Sequence, residues 1–212
     1  IFPTGKKTPW IWNPENGTRF VFPFDKNKNE LNMILKPLES LLLVFEPDLS
    51  GEPKKCMEDT GDNLNMVVKD PWEVTFKHVD GQTFNKTFED LFDFGTSNDR
   101  QLNSFAGTAA YTARFKVDNQ YNYLRIEKVN KGVAEIVLNG KEVGTNWYGT
   151  PVFYIKDAIN KGDNELIIIY TTVLSNYVMS LKDNPTFSKW TSGYDKLPSG
   201  LEGNIVLTDS YY

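Results

Sequence analysis

The chain has 212 residues, 28 of them acidic and 23 basic, giving a net charge of −5, and no basic stripe of the kind that neutralises phosphates; both features argue against a nucleic-acid partner. A chain this long buries roughly 70% of its extended surface, so it needs no staple, and its single cysteine, Cys56, can form no internal disulfide. The longest apolar run, Leu41 to Phe45, has strand length and falls far short of the roughly 20 residues of a membrane span. Many Pro, Gly and aromatic residues among short alternating runs favour an all-β architecture.

In chain order, residues 1–61 offer three strands, Arg19 to Phe24, Leu31 to Lys36 and Leu41 to Glu46, with turns at Asn16-Gly17 and through the polar run Asp25 to Glu30. Three strands make a poor core alone. This short β segment is expected to pack on the remainder of the chain or on a domain outside the sequence. The polar stretch from Ser50 to Gly61 reads as a boundary, so residues 62–212 form the second unit. That unit opens with a strand at Leu64 to Lys69. Trp72, Val74 and Phe76 then alternate with Glu73, Thr75 and Lys77 as a half-buried strand entered through Pro71.

Thr87-Phe-Glu-Asp90, followed by Leu91 and Phe92, reads as a capped turn or two of helix, and Thr96 to Leu102 as a loop. From Phe105 to Val117 every second residue is apolar or small, the pattern of a long strand whose first half lets another layer approach closely. Leu124 and Ile126 mark the next strand. Ala134, Ile136 and Leu138 mark another, which turns back at Asn139-Gly140, the dipeptide that accepts positive φ most cheaply. An aromatic loop, Trp147-Tyr148, leads to a short strand from Val152 to Ile155 and one helical turn, Lys156 to Asn160, closed by Gly162. Leu166 to Thr172 returns as a strand. Its unbroken Ile167-Ile168-Ile169 predicts apolar neighbours on both faces. Gly203 to Leu207 is the last strand.

Several stretches together resemble a known family: Ala134-Glu-Ile-Val-Leu-Asn-Gly-Lys-Glu-Val-Gly144, Pro151, Gly162-Asp-Asn-Glu-Leu166, Leu91-Phe-Asp-Phe94, Phe105 to Tyr111, and Leu197-Pro-Ser-Gly-Leu-Glu-Gly203. The family is the sugar-binding, galactose-binding-like jelly roll of glycoside hydrolases of the β-galactosidase and β-glucuronidase clan. The match is closer to the C-terminal module of α-L-rhamnosidase-type enzymes, and it runs roughly from Trp72 to Leu207. Thr4-Gly5, Trp12, Glu15-Asn-Gly17 and Glu39 to Phe45 are similar to the segment that succeeds the catalytic barrel in those enzymes.

The resemblance implies a jelly-roll β-sandwich preceded by a short β segment, in a secreted protein of periplasmic or extracellular location. It places the catalytic carboxylates in a barrel upstream of Ile1, so no catalytic residue is carried onto this chain. The absence of an initiating Met fits an excised or processed fragment. The expected function is that of a noncatalytic module, and the parent protein is the enzyme. Its partners would be that barrel and a plant or other complex polysaccharide. The alternatives are a stand-alone carbohydrate-binding protein, or a purely structural sandwich that touches only protein.

Trp147 and Tyr148, beside Asn146 and Gly149, are candidate ligand-binding residues, because exposed aromatics next to amides stack on and hydrogen-bond to sugar rings. The competing role for Trp147 is to fold back and cap the sandwich. Asn176 and Tyr177, in the loop after Thr172, stand where rhamnosidase-type relatives carry an Asn-Arg pair; with the Arg absent, any contact that guanidinium makes is in doubt here. Phe187, Trp190 and Tyr194 add aromatic surface to a loop they are expected to pin. His78, the only histidine, falls on the inward side of its strand and reads as a hydrogen-bonded, partly buried imidazole. No zinc spacing is visible and no cofactor is assigned. Calcium is left open without ligands, since Asp118-Asn119, Asp163-Asn164 and Asp183-Asn184 match no calcium-loop motif.

Overall fold

Period-2 burial governs this protein, and cross-strand pairing overrides the local helix signals in the sequence. The computed structural model describes residues 7–14, 17, 19–22, 24, 31–33, 35, 38–47 and 64–209. They fall into two compact units, one within residues 1–59 and the other within 60–212.

The first unit is a three-stranded antiparallel sheet of β1 (Thr8–Trp12), β2 (Arg19–Val21) and β3 (Leu42–Glu46), with β1 in the centre. The sequence does not mark β1 as a strand, because Pro9 lacks the N–H that a central strand normally uses. Its carbonyl still serves the sheet by accepting from Phe22 N–H at 2.8 Å. Trp10 is buried, with the Arg19 guanidinium 4.6 Å over its ring and bonded in turn to Glu46 at 2.8 Å. The strand expected over Leu31 to Lys36 is absent at residues 31–33 and 35, while Ile34 and Lys36 lie outside the described residues.

The second unit is an all-β sandwich of two antiparallel sheets. In chain order its elements are β4 (Asn65–Val67), β5 (Trp72–His78), β6 (Thr83–Phe88), a 3-10 turn (Phe94–Thr96), α1 (Arg100–Asn103), β7 (Gly107–Val117), β8 (Tyr123–Asn130) and β9 (Gly132–Leu138). Next come β10 (Lys141–Asn146), β11 (Val152–Tyr154), β12 (Gly162–Thr172), α2 (Ser175–Ser180), α3 (Pro185–Thr191) and β13 (Gly200–Thr208). The larger sheet has the order β10-β9-β12-β7-β5-β6, and the smaller has the order β11-β8-β13-β4.

The core lies between the sheets. Leu166, Ile168 and Tyr170 of β12 face inward, flanked by Ala113, Tyr111 and Ala109 of β7 and by Leu138, Ile136 and Ala134 of β9. Large side chains thus sit beside small ones. Tyr170 stands between two alanines, and its hydroxyl donates to the Asn130 carbonyl at 2.5 Å, where the chain leaves β8 for β9. The small residues at the start of β7 serve a second purpose, because a Cβ on Gly107 would lie 2.1 Å from the Lys77 carbonyl of β5. Ile167 and Ile169 are only half-buried, so the outer face of β12 is not the second core surface that three consecutive isoleucines predict.

Three local expectations are corrected by the structure. Thr87 and Phe88 end β6 rather than start a helix, because Phe88 pairs with Trp72 and Phe84 stacks on Phe76 at 4.7 Å, burial that a helical turn would forfeit. The expected loop Thr96 to Leu102 instead holds the start of α1, where the Asp99 carboxylate accepts from Gln101 N–H at 2.9 Å. Lys156 to Asn160 makes one turn, closed by Ile159 N–H to Ile155 O at 3.0 Å. Gly162 opens β12 at φ 93° and so ends no helix.

Candidate functional site

The β9–β10 hairpin determines where the aromatic loop stands. Asn139 and Gly140 turn with φ of 53° and 76°, and the Asn139 side chain anchors the corner by donating to Ala158 O at 2.8 Å and accepting from Glu165 N–H at 2.9 Å. A bulge between Glu142 and Gly144 then twists β10 at the sheet's edge. At its end, Asn146 Nδ2 donates to the Tyr148 carbonyl at 2.6 Å, and Gly149 turns the chain at φ 71°. The loop holds Trp147 62% exposed and Tyr148 44% exposed, with ring centroids 4.4 Å apart at 65°. Trp147 therefore does not fold back over the sandwich; it presents an indole face to solvent beside a phenol.

The other two candidates lie elsewhere. Asn176 and Tyr177 are in α2, a helix where a loop is expected. Asn176 is 4% exposed, and its amide clamps the Leu197 backbone, donating to its carbonyl and accepting from its N–H, both at 2.8 Å. This side chain holds the return to β13 and offers little to a ligand. The Tyr177 ring meets His78 edge-on at 4.8 Å, at the end of β5, four strand spacings or about 19 Å from β10 across the sheet. The four candidates thus share one end of the sheet but do not converge on one site.

His78 is a packed imidazole. Its side chain is 11% exposed, its ring also lies edge-on to Phe105 at 5.7 Å, and Nδ1 sits 3.0 Å from Asp80 Oδ1. The Asp80 carboxylate is held below the usual carboxylate range, chiefly by the Gln82 N–H that it accepts at 2.9 Å. Gln82 Nε2 adds a second bond to that carboxylate at 3.1 Å. Between this turn, α1 and α2 lies a hollow of about 220 Å³, lined by His78, Asp80, Gln82, Arg100, Gln101 and Tyr177 among others. The sequence gives no sign of it, because its members come from three separate connections with no common spacing.

A wider groove of about 620 Å³ lies at the opposite end of β7, but its two cations are already paired. Arg114 binds Glu165 at 2.8 Å and Lys116 binds Asp163 at 3.2 Å. Among the described residues no three His, Cys, Asp or Glu side chains come together as metal ligands. Of the Asp-Asn pairs, Asn164 is buried in the Asn139 network and Asn184 caps α3 by accepting from Thr186 and Phe187 N–H. No described helix is long and apolar enough to cross a membrane.

No protein-family model matches the sequence. Over 117 residues the chain is 31% identical to a putative beta-glucuronidase of Formosa agariphila, a stretch of 52% of this chain and 10% of that protein. The fold matches a rhamnosidase from Novosphingobium sp. PP1Y with a TM-score of 0.73 at 22% identity, covering 95% of this chain and 20% of that one. A beta-D-glucuronidase of Dictyoglomus thermophilum is similar at a TM-score of 0.46 and 15% identity, over 69% of this chain and 28% of that one. The chain thus spans a tenth to about a quarter of the lengths of these proteins. Its class is an antiparallel β-sandwich similar to parts of glycoside hydrolases.

Proposed function

We propose that this chain is a noncatalytic C-terminal module of a secreted, α-L-rhamnosidase-like glycoside hydrolase, a galactose-binding-like jelly roll that supports a catalytic barrel and holds carbohydrate. The observation that carries this reading is the exposed Trp147–Tyr148 pair, displayed at the edge of a sandwich whose fold a rhamnosidase shares over nearly the whole chain. An indole held open to water costs hydrophobic free energy, which a stacking partner returns. Glycoside hydrolysis needs two carboxylates roughly 5 to 10 Å apart across a substrate. The 220 Å³ hollow has one, Asp80, and it is engaged by Gln82.

A shallow site of two aromatic rings and an amide competes with water for every hydroxyl it binds. The expected dissociation constant for a monosaccharide is on the order of 1 mM, about 4 kcal/mol. Titrating rhamnose, galactose and pectic fragments while following tryptophan fluorescence tests this. Trp147→Ala should abolish the response and Tyr148→Ala should weaken it. Turnover of aryl glycosides by the purified chain, or a response that survives Trp147→Ala, would overturn the reading.

A further inference from the structure

The hollow between the β5–β6 turn, α1 and α2 differs from the wider groove at the far end of β7 in that its cation has no partner. Arg100 lines it and makes no ion pair among the described residues. The acid beside it in sequence, Asp99, is committed to Lys86 Nζ at 2.8 Å and to the Gln101 N–H. Lys196 stands near Arg100 and pairs with no carboxylate among the described residues. Lys196 bonds the neutral amide of Asn103, and its pKa is pushed down by burial first and then by the charges of Lys182 and Arg100. Among the described residues, Asp183 and Asp195, adjacent in sequence to Lys182 and Lys196, form no ion pair with Arg100 or Lys196. In a chain of net charge −5, a guanidinium in this hollow without an ion pair among the described residues, and near enough to Lys196 to repel it, is a cost that an anion would relieve.

The rest of the wall suits a hydroxylated ring. Gln101 is a planar amide that donates and accepts, Gln82 turns its Nε2 to the one carboxylate of the wall, Asp80, at 3.1 Å and keeps its Oε1 as an acceptor, and the half-buried Tyr177 offers an aromatic surface. About 220 Å³ is less than the roughly 300 Å³ of the smallest drug-sized sites, and it leaves room for one sugar ring. We propose that this hollow binds an anionic pyranose, a sugar ring bearing a carboxylate or a sulfate ester, with the anion on the Arg100 guanidinium and the ring against Tyr177. A guanidinium meets either anion with two parallel hydrogen bonds. The inference rests on the carbohydrate-binding reading but on a different site, about 19 Å across the sheet from the Trp147 loop.

The single histidine supplies an unambiguous probe, because the imidazole proton resonances of His78 report on the hollow alone. The full chain is titrated with methyl glucuronide, with a sulfated methyl galactoside and with neutral methyl galactoside. The charged sugars should shift the His78 resonances with a dissociation constant on the order of 1 mM. The neutral sugar should fail to do so. Arg100→Gln, at an exposed position, should weaken the response about tenfold, as loss of a charge-assisted bidentate pair does, and Trp147→Ala should leave it unchanged. Whichever charged sugar shifts His78 more identifies the anion. Equal binding of the neutral sugar, unchanged affinity in Arg100→Gln, or no shift with either charged sugar overturns the inference. A response at Trp147 without one at His78 sinks only this proposal; the converse sinks only the assignment of sugar binding to the Trp147 loop.

Discussion

Asn176 shows what a single buried amide does in this fold. Its two bonds to Leu197 satisfy a backbone N–H and a carbonyl at the point where the chain re-enters the sandwich, and Asp93 does the same for the next turn by accepting from Ser199 N–H at 2.8 Å. Removing the amide leaves both backbone groups of Leu197 without their partner, so Asn176→Ala should destabilise by about 1 to 3 kcal/mol in urea denaturation. Asn176→Asp keeps the acceptor but sets a second oxygen against the Leu197 carbonyl in a buried site, and should cost at least as much as Asn176→Ala. An Asn176→Ala variant as stable as the parent would mean that water replaces the amide at no cost. The sequence marks this residue by its place after Thr172, yet an asparagine that binds a sugar and one that binds its own backbone look alike there. Burial alone separates them, and burial depends on Leu197, 21 residues away.

At the scale of elements, legibility tracks the range of the interactions that decide each one. The β9–β10 hairpin is readable because its turn and its alternation are both local, and β12 because Leu166, Ile168 and Tyr170 keep period 2. The helix expected at Thr87 is misread because its capping pattern is local too, whereas the winning contacts, Phe88 to Trp72 and Phe84 to Phe76, come from the neighbouring strand. Pairing also explains Gly107, where β7 begins against His78 of β5. With φ at 146° and the Lys77 carbonyl 2.1 Å from any added Cβ, both the backbone conformation and the space exclude a side chain. Gly107→Ala should therefore cost well over the ~1 kcal/mol of an ordinary unfavourable glycine replacement. It should lower the melting temperature far more than Gly140→Ala, whose added Cβ would meet nothing within 4 Å. Similar melting temperatures for the two variants would show that β5 and β7 can part at little cost.

Over the whole molecule, ionisation sets the limits of stability at both ends of the pH scale, and the two ends have different physical causes. On the acid side, Asp99 and Glu202 are held below their usual range, Asp99 chiefly by the Lys86 hydrogen bond and Glu202 chiefly by that of Lys128. Depressed carboxylates stabilise above their unfolded values of 3.8 and 4.5, and that contribution is lost as pH falls through the folded ones. Both are open to solvent, so screening keeps this limb shallow. On the alkaline side, burial raises the Tyr111 hydroxyl well above its usual value of 10.0, and burial raises Tyr170 as well. Here the sign reverses. The unfolded chain releases these protons near pH 10 while the folded one retains them to higher pH, so stability is complete below that pH and falls as pH rises toward each folded-state value, by at most about 1.4 kcal/mol per pH unit for each group. The alkaline limb should accordingly be the steeper of the two. Tyr111→Phe removes one such group at little cost in packing, since its hydroxyl accepts only one long bond, from Leu201 N–H at 3.4 Å. Its melting temperature should therefore match the parent within a few degrees at pH 7 and exceed it above pH 10. Parallel melting curves for parent and variant across that range would show that Tyr111 ionises in the folded protein, and with it that the core between the sheets admits charge.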